Sequence, residues 1–175
     1  MYSSETLCID LKGLTDEKSV FNYTLDDDYF KAIDAPDIKK GHLECQLEIN
    51  KMSSFYELNF HIEGIIQIPC DRCLDDMDQE IYTDDKLIAK FGEEYSEEDD
   101  YVIVPEDEGI LDTSWFIYEF IALNIPIKHV HASGLCNTAM MKLLEEHTIT
   151  RSSGEDEEKA VDPRWSKLSE LLNKN

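Results

Sequence analysis

The stretch Tyr56-Glu57-Leu58-Asn59-Phe60-His61-Ile62-Glu63-Gly64-Ile65-Ile66-Gln67-Ile68-Pro69-Cys70-Asp71-Arg72-Cys73 decides how the chain reads. Tyr56, Leu58, Phe60, Ile62, Ile66 and Ile68 share one parity, while Glu57, Asn59, His61, Glu63 and Gln67 take the other. A period of two sets an apolar row against a core and a polar row in water, so this is a long half-buried strand. His61 lies in the polar row and reads as a solvated strand residue, not a ligand. Pro69 has no N–H to give to a neighbouring strand and closes this one as Cys70 is reached. The Cys70 to Cys73 turn then leads into another strand around Gln79 to Phe91, which places both thiols at the rim of an antiparallel meander.

Strand signals continue toward the N-terminus. Leu43, Cys45, Leu47 and Ile49 alternate with Glu44, Gln46 and Glu48, making Cys45 a core thiol. Val20 to Leu25 is another strand, running into the acidic Asp26-Asp27-Asp28, and Leu7, Ile9 and Leu11 alternate in the same way.

Beyond the meander the texture changes. Between Glu93 and Glu108 nine acidic residues occur with no Lys or Arg, interrupted by Tyr101-Val102-Ile103-Val104. A charged block around a short apolar strand reads as a solvated or partly mobile loop crossing the sheet edge. Asp112, Thr113 or Ser114 can cap a helix over Trp115 to Leu123, whose apolar residues cover almost the whole circumference, so it must be buried on more than one side. Pro126 ends it and delivers the chain to His129 and His131. Met140 to His147 forms a short helix. Residues 151–160 read as an acidic linker, and 161–175 as an amphipathic helix with Asp162 as cap, Pro163 in its first turn and Trp165, Leu168, Leu171 and Leu172 on one side. That helix docks on its own domain or on another molecule. The fold class is therefore α+β: a mainly antiparallel β meander or barrel-like sheet, one apolar helix and a C-terminal amphipathic helix. Residues 1–150 form a single β-rich domain.

Composition bounds the role. The chain has 175 residues, and its 39 Asp plus Glu against 16 Lys plus Arg give a net charge of -23. That field repels phosphate backbones and attracts basic proteins, although acidity also simply keeps a protein in solution. No apolar run approaches the roughly 20 residues that span a bilayer. The start Met1-Tyr2-Ser3-Ser4-Glu5 has neither the basic nor the apolar part of a secretory signal, so a cytoplasmic protein is expected. Five cysteines in a reducing compartment read as free thiols or metal ligands and not as a disulfide framework.

The cysteines carry the one chemical signal. A C-x-x-C turn can give two thiolates to one zinc ion, and a distant His and Cys can complete its tetrahedron. Cys70 and Cys73 supply the pair, and His131 follows Cys73 58 positions later, with Cys136 beyond it. Spacing alone leaves two readings: a structural metal site, or ordinary half-buried thiols beside a loop histidine. A redox pair fits less well, because reactive C-x-x-C thiols gain thiolate character from a helix N-terminus and this pair lies between strands. Walker, G-x-G-x-x-G, H-E-x-x-H and G-x-S-x-G motifs are all absent, and no enzyme is indicated.

Taken in order, a strand, Cys70-Asp71-Arg72-Cys73-Leu74, an acidic segment, an apolar helix, Leu123-Asn124-Ile125-Pro126 with His131 and Cys136, and Asp162-Pro163-Arg164 with Leu168 resemble the YceD family. Its members are known as large ribosomal RNA subunit accumulation proteins, and the resemblance spans nearly the whole chain. The family's C-x-R-C falls on Cys70, Arg72 and Cys73, its proline-rich segment with a His or Cys on Pro126 and His131, and its Gly-Leu-Cys on Gly134-Leu135-Cys136. Many members carry a further Cys where this chain has Ala139, and none follows Cys136 here. The resemblance thus implies at most one four-ligand set, Cys70, Cys73, His131 and Cys136, with His129 as a substitute, for a structural zinc. It also implies a non-enzymatic ribosome-biogenesis role in the synthesis, processing or stability of 23S rRNA. The family's gene commonly lies beside that of a small basic large-subunit ribosomal protein. A basic ribosomal protein or a pre-ribosomal large-subunit particle is accordingly the expected partner, and bare RNA is disfavoured. The alternative is a zinc- or thiol-dependent enzyme built on Cys70 and Cys73.

Overall fold

A computed structural model of the chain describes residues 7–98 and 101–148. Its centre is a run of four antiparallel strands: β2 (Lys18–Leu25), β3 (Lys40–Lys51), β4 (Tyr56–Pro69) and β5 (Asp76–Gly92), following β1 (Cys8–Asp10). Consecutive strands pair as neighbours, with Leu47 opposite Phe60 and Phe60 opposite Asp85. The parity read from the sequence holds along β3 and β4. Leu43, Cys45, Leu47, Ile49, Leu58, Phe60, Ile62, Ile66 and Ile68 are buried, and the alternate residues are exposed or half-buried.

Gly64 sits on the buried parity of β4 with φ at +151°, opposite Leu43. A Cβ there would run into the His42 carbonyl oxygen and come within 2.6 Å of the Leu43 Cα. Only glycine lets β3 approach β4 so closely.

After β5 the chain makes β6 (Ser96–Glu97) and returns as β7 (Val102–Pro105), which lies parallel to β5 and antiparallel to β6. The sheet order is thus β2-β3-β4-β5-β7-β6. Two expectations change here. The Tyr101 to Val104 segment is not a strand within an edge-crossing loop: Val102 and Val104 enter the core, and β7 lies inside the sheet. The sheet is also open and mixed, with no closure into a barrel. Closure would require its edges to pair along a common length, whereas β2 has eight residues and β6 two.

Strand β1 stands apart from the main sheet, pairing with β8 (Ile110–Asp112). Three helices complete the described chain: α1 (Asp27–Ala32), α2 (Ser114–Asn124) and α3 (Thr138–His147). The Asp26-Asp27-Asp28 run is a helix start. The Asp26 carboxylate accepts from the Asp28 and Tyr29 N–H groups at 3.0 and 3.2 Å, while Asp27 and Asp28 favour the positive end of the helix dipole. Thr113 occupies the cap position of α2, but its hydroxyl donates to the Leu7 carbonyl at 2.8 Å, binding the helix to the start of β1. Asp112 instead accepts from the Ser114 N–H at 2.9 Å.

Helix α2 packs Phe116, Ile117, Tyr118 and Ile121 into the core, with the Phe120 ring 5.2 Å from that of Phe60. Its apolar circumference predicted burial on more than one side. Trp115 and Leu123 are nevertheless 45% and 83% exposed. Among the described residues no helix is long and apolar enough to cross a membrane. The expected linker at 151–160 and helix at 161–175 lie outside the described residues.

Candidate metal centre

Strands β4 and β5 end in register, Pro69 opposite Asp76, so residues 70–75 form the tip of their hairpin. The Cys70 N–H donates to the Asp75 carbonyl and the Leu74 N–H to the Cys70 carbonyl, both at 2.9 Å, which folds the tip into a tight knuckle. Leu74 takes φ at +62° to close it. Both cysteine side chains turn inward, Cys70 0% and Cys73 1% exposed.

The chain leaving α2 is fastened across this knuckle by backbone and carboxylate together. Asp71 donates its N–H to the His129 carbonyl at 2.9 Å, and its carboxylate accepts the His129 N–H at 2.8 Å. The imidazole of His129 faces the other Asp71 oxygen at 3.4 Å through Nε2 and the Pro126 carbonyl at 3.0 Å through Nδ1. With both ring nitrogens so engaged, His129 is a strut and not the substitute ligand. Gly134, at φ +86°, lets the chain turn back after His131 so that Cys136 reaches the knuckle. Asn137 secures the return: its amide donates to Asp75 at 3.1 Å, and its carbonyl caps α3 by accepting from Ala139 and Met140.

Four donor atoms converge inside this arrangement. Cys73 Sγ lies 3.3 Å from His131 Nδ1, Cys70 Sγ lies 3.9 Å from Cys136 Sγ, and the four ligand atoms are all within 4.8 Å of one another. With zinc–sulfur and zinc–nitrogen bonds of ordinary length, a tetrahedron has S···S edges of about 3.8 Å and S···N edges of about 3.5 Å. These two separations match those edges. Cys70, Cys73, His131 and Cys136 are thus close enough to hold a metal ion, and three sulfurs with one imidazole are a donor set that suits zinc.

The electrostatics single out Cys70. Burial pushes its thiol up, but the backbone N–H groups of Cys73, Arg72 and His131 and the His131 side chain outweigh that and bring it down to about 5. Two of those N–H···S contacts measure 3.4 Å from Arg72 and 3.5 Å from His131. Cys136 moves the other way, to about 11, through burial and its proximity to Cys70 and Cys73. One thiolate is stabilised by fixed dipoles and the next is opposed, an imbalance that a cation at the centre removes. In sequence Asp71 is simply the residue next to Cys70, a negative charge beside a thiol. Its carboxylate is committed to His129 instead, and neither this clamp nor the Asn137–Asp75 bond has a sequence signature, because the partners are 58 and 62 positions apart.

A profile described as large ribosomal RNA subunit accumulation protein YceD matches residues 58–172. The chain belongs to the YceD family. The match begins within β4 and takes in all four converging donors. No curated protein and no solved structure matches the chain.

Proposed function

We propose that this YceD-family chain is a non-enzymatic ribosome-biogenesis factor. In this reading it supports the synthesis, processing or stability of 23S rRNA in the cytoplasm, acting through a basic ribosomal protein or a pre-ribosomal large-subunit particle. Cys70, Cys73, His131 and Cys136 hold a structural zinc that keeps the segment after α2 on the hairpin tip. The observation that carries the role is the family match over residues 58–172, whose description names large-subunit rRNA accumulation. The net charge of -23 supports a basic protein partner over bare RNA, since it opposes any phosphate backbone.

Four protein donors close a tetrahedron, whereas a catalytic zinc keeps a position for water or substrate. That supports a structural ion. The lowered thiol of Cys70 favours a second reading as a thiol- or zinc-dependent enzyme, because thiolates are the reactive form. Its complete burial argues against it.

Two measurements test the proposal. Elemental analysis of chain purified without chelator should find about one zinc per chain, and Cys73→Ser should reduce it sharply. Gradient sedimentation of native lysate should place the chain in large-subunit precursor fractions, and its depletion should lower 23S relative to 16S rRNA. Absence from every precursor fraction, with unchanged rRNA ratios, rejects the ribosomal role.

A further inference from the structure

The sheet face turned away from the core is lined from β2 through β5 by side chains that are all exposed or half-buried. Its charges are divided unevenly. Toward one end Lys18 pairs with Glu48 at 2.7 Å and Lys86 pairs with Glu57. Toward the other, Glu44 stands directly opposite Glu63 in the β3–β4 register, and Glu80 and Asp84 follow on β5. Among the described residues no Lys or Arg forms an ion pair with these four. Their ion-pair partners are histidines, His42 4.0 Å from Glu44 and His61 4.0 Å from Glu63 and 2.7 Å from Asp84, while Lys86 borders Asp84 but pairs with Glu57 and Lys40 stands at the far end beside His42 and Ile65. Like charges placed opposite one another on adjacent strands destabilise a sheet, so this half of the face carries a penalty that a cation would relieve.

The same half presents apolar surface. Ile65 is 45% and Tyr82 62% exposed, although both sit in strands, and they border a shallow groove of about 440 Å³ that also contains Glu44, Glu63 and Glu80. Carboxylates around an exposed aromatic ring and a branched aliphatic side chain suit one chemistry. The long stems of Lys and Arg lie along Ile65, a guanidinium stacks on Tyr82, and the charged ends reach the carboxylates. Nucleic acid is repelled by the same groups, as is a second copy of so acidic a chain.

We propose that this half of the open sheet face docks an extended Lys/Arg-rich polypeptide segment. The inference rests on the reading of the chain as a partner of a basic protein and assigns that contact to the outer sheet face of β3, β4 and β5, separate from the cysteine ligands at the tip of the β4–β5 hairpin.

The test uses the full zinc-loaded chain and a fluorescein-labelled arginine-rich peptide, with binding followed by anisotropy at several salt concentrations. The triple variant Glu44→Gln, Glu63→Gln and Glu80→Gln should weaken binding about tenfold, while Glu93→Gln, Glu94→Gln and Glu106→Gln, with the same change in net charge, should weaken it less than about twofold. Tyr82→Ala should weaken binding with no change in charge. Equal loss in the two triple variants overturns the proposal by showing a general charge effect. So does failure of the unmodified chain to bind the peptide, or carbodiimide crosslinks from Glu44 and Glu63 to a second copy or to residues 149–175 of the same chain. Sedimentation separates the two levels. A chain absent from ribosomal precursors that still binds the peptide through this face defeats the ribosomal role alone. A chain present there whose peptide binding ignores this face defeats the docking surface alone.

Discussion

Within β4 the chain passes from one physical regime to another. Leu58, Phe60 and Ile62 are sealed beneath α2 and neighbouring strands, each 0–1% exposed. At the end of the same hairpin, the segment that follows α2 is held mainly by polar contacts: Ile127 is fully exposed, and α3 buries none of its residues. Burial of apolar area fixes the sheet, whereas hydrogen bonds from Asp71 and Asn137 hold the rim, where the four donors come close enough to hold a metal ion. A segment without a core of its own can still take one definite shape if polar groups and an ion hold it at several points, and it should then open independently of the sheet.

The largest effect expected from that contrast comes from removing the proposed zinc. Structural zinc contributes on the order of 10 kcal/mol in small finger peptides, so chelating the zinc-loaded chain should raise amide exchange across 128–137 by at least about a hundredfold. The β3 and β4 amides should keep their protection. Simultaneous loss in both regions would show that the two form one cooperative unit.

Next is the sheet itself. Phe60→Ala removes a fully buried ring and should lower global stability by about 3–5 kcal/mol in urea unfolding, with zinc content unchanged in the folded fraction. A smaller loss confined to the rim would invert the comparison. Gly64→Ala should cost about 1–3 kcal/mol, because the new Cβ meets the β3 backbone and the φ of +151° disfavours alanine. The smallest effect falls on the clamp. Asp71→Ala should lower global stability by only about 1 kcal/mol, while increasing exchange at the His129 amide and weakening zinc retention against a competing chelator. Unchanged exchange there would remove Asp71 from the account of the rim.

How far the sequence anticipated these regions follows the same division. The strands β2 to β5 were legible because a period of two records which face is buried, as Tyr56 through Ile68 show. Helix α1 was missed because three aspartates in a row read as charge, although the first of them is a cap. The short apolar strand β7 was legible, but its acidic neighbours read as a loop crossing the sheet edge, and only pairing with β5 reveals its place inside the sheet. The four candidate donors named from the motifs do come together, close enough to hold a metal ion. His129 and His131 could not be ranked, since adjacent loop histidines differ only in what each side chain meets.

By itself, then, the sequence determined the antiparallel strands, the buried face of each, the two cysteines in a hairpin tip and the motif order of the family, because these depend on local periodicity and short spacing. Tertiary structure alone decided that the sheet stays open, that His129 braces while His131 joins the thiols, and that carboxylates of β3, β4 and β5 with no Lys or Arg ion-pair partner among the described residues gather on one half of a face. Each of these depends on which residues far apart in the chain become neighbours, and register and chain return set that.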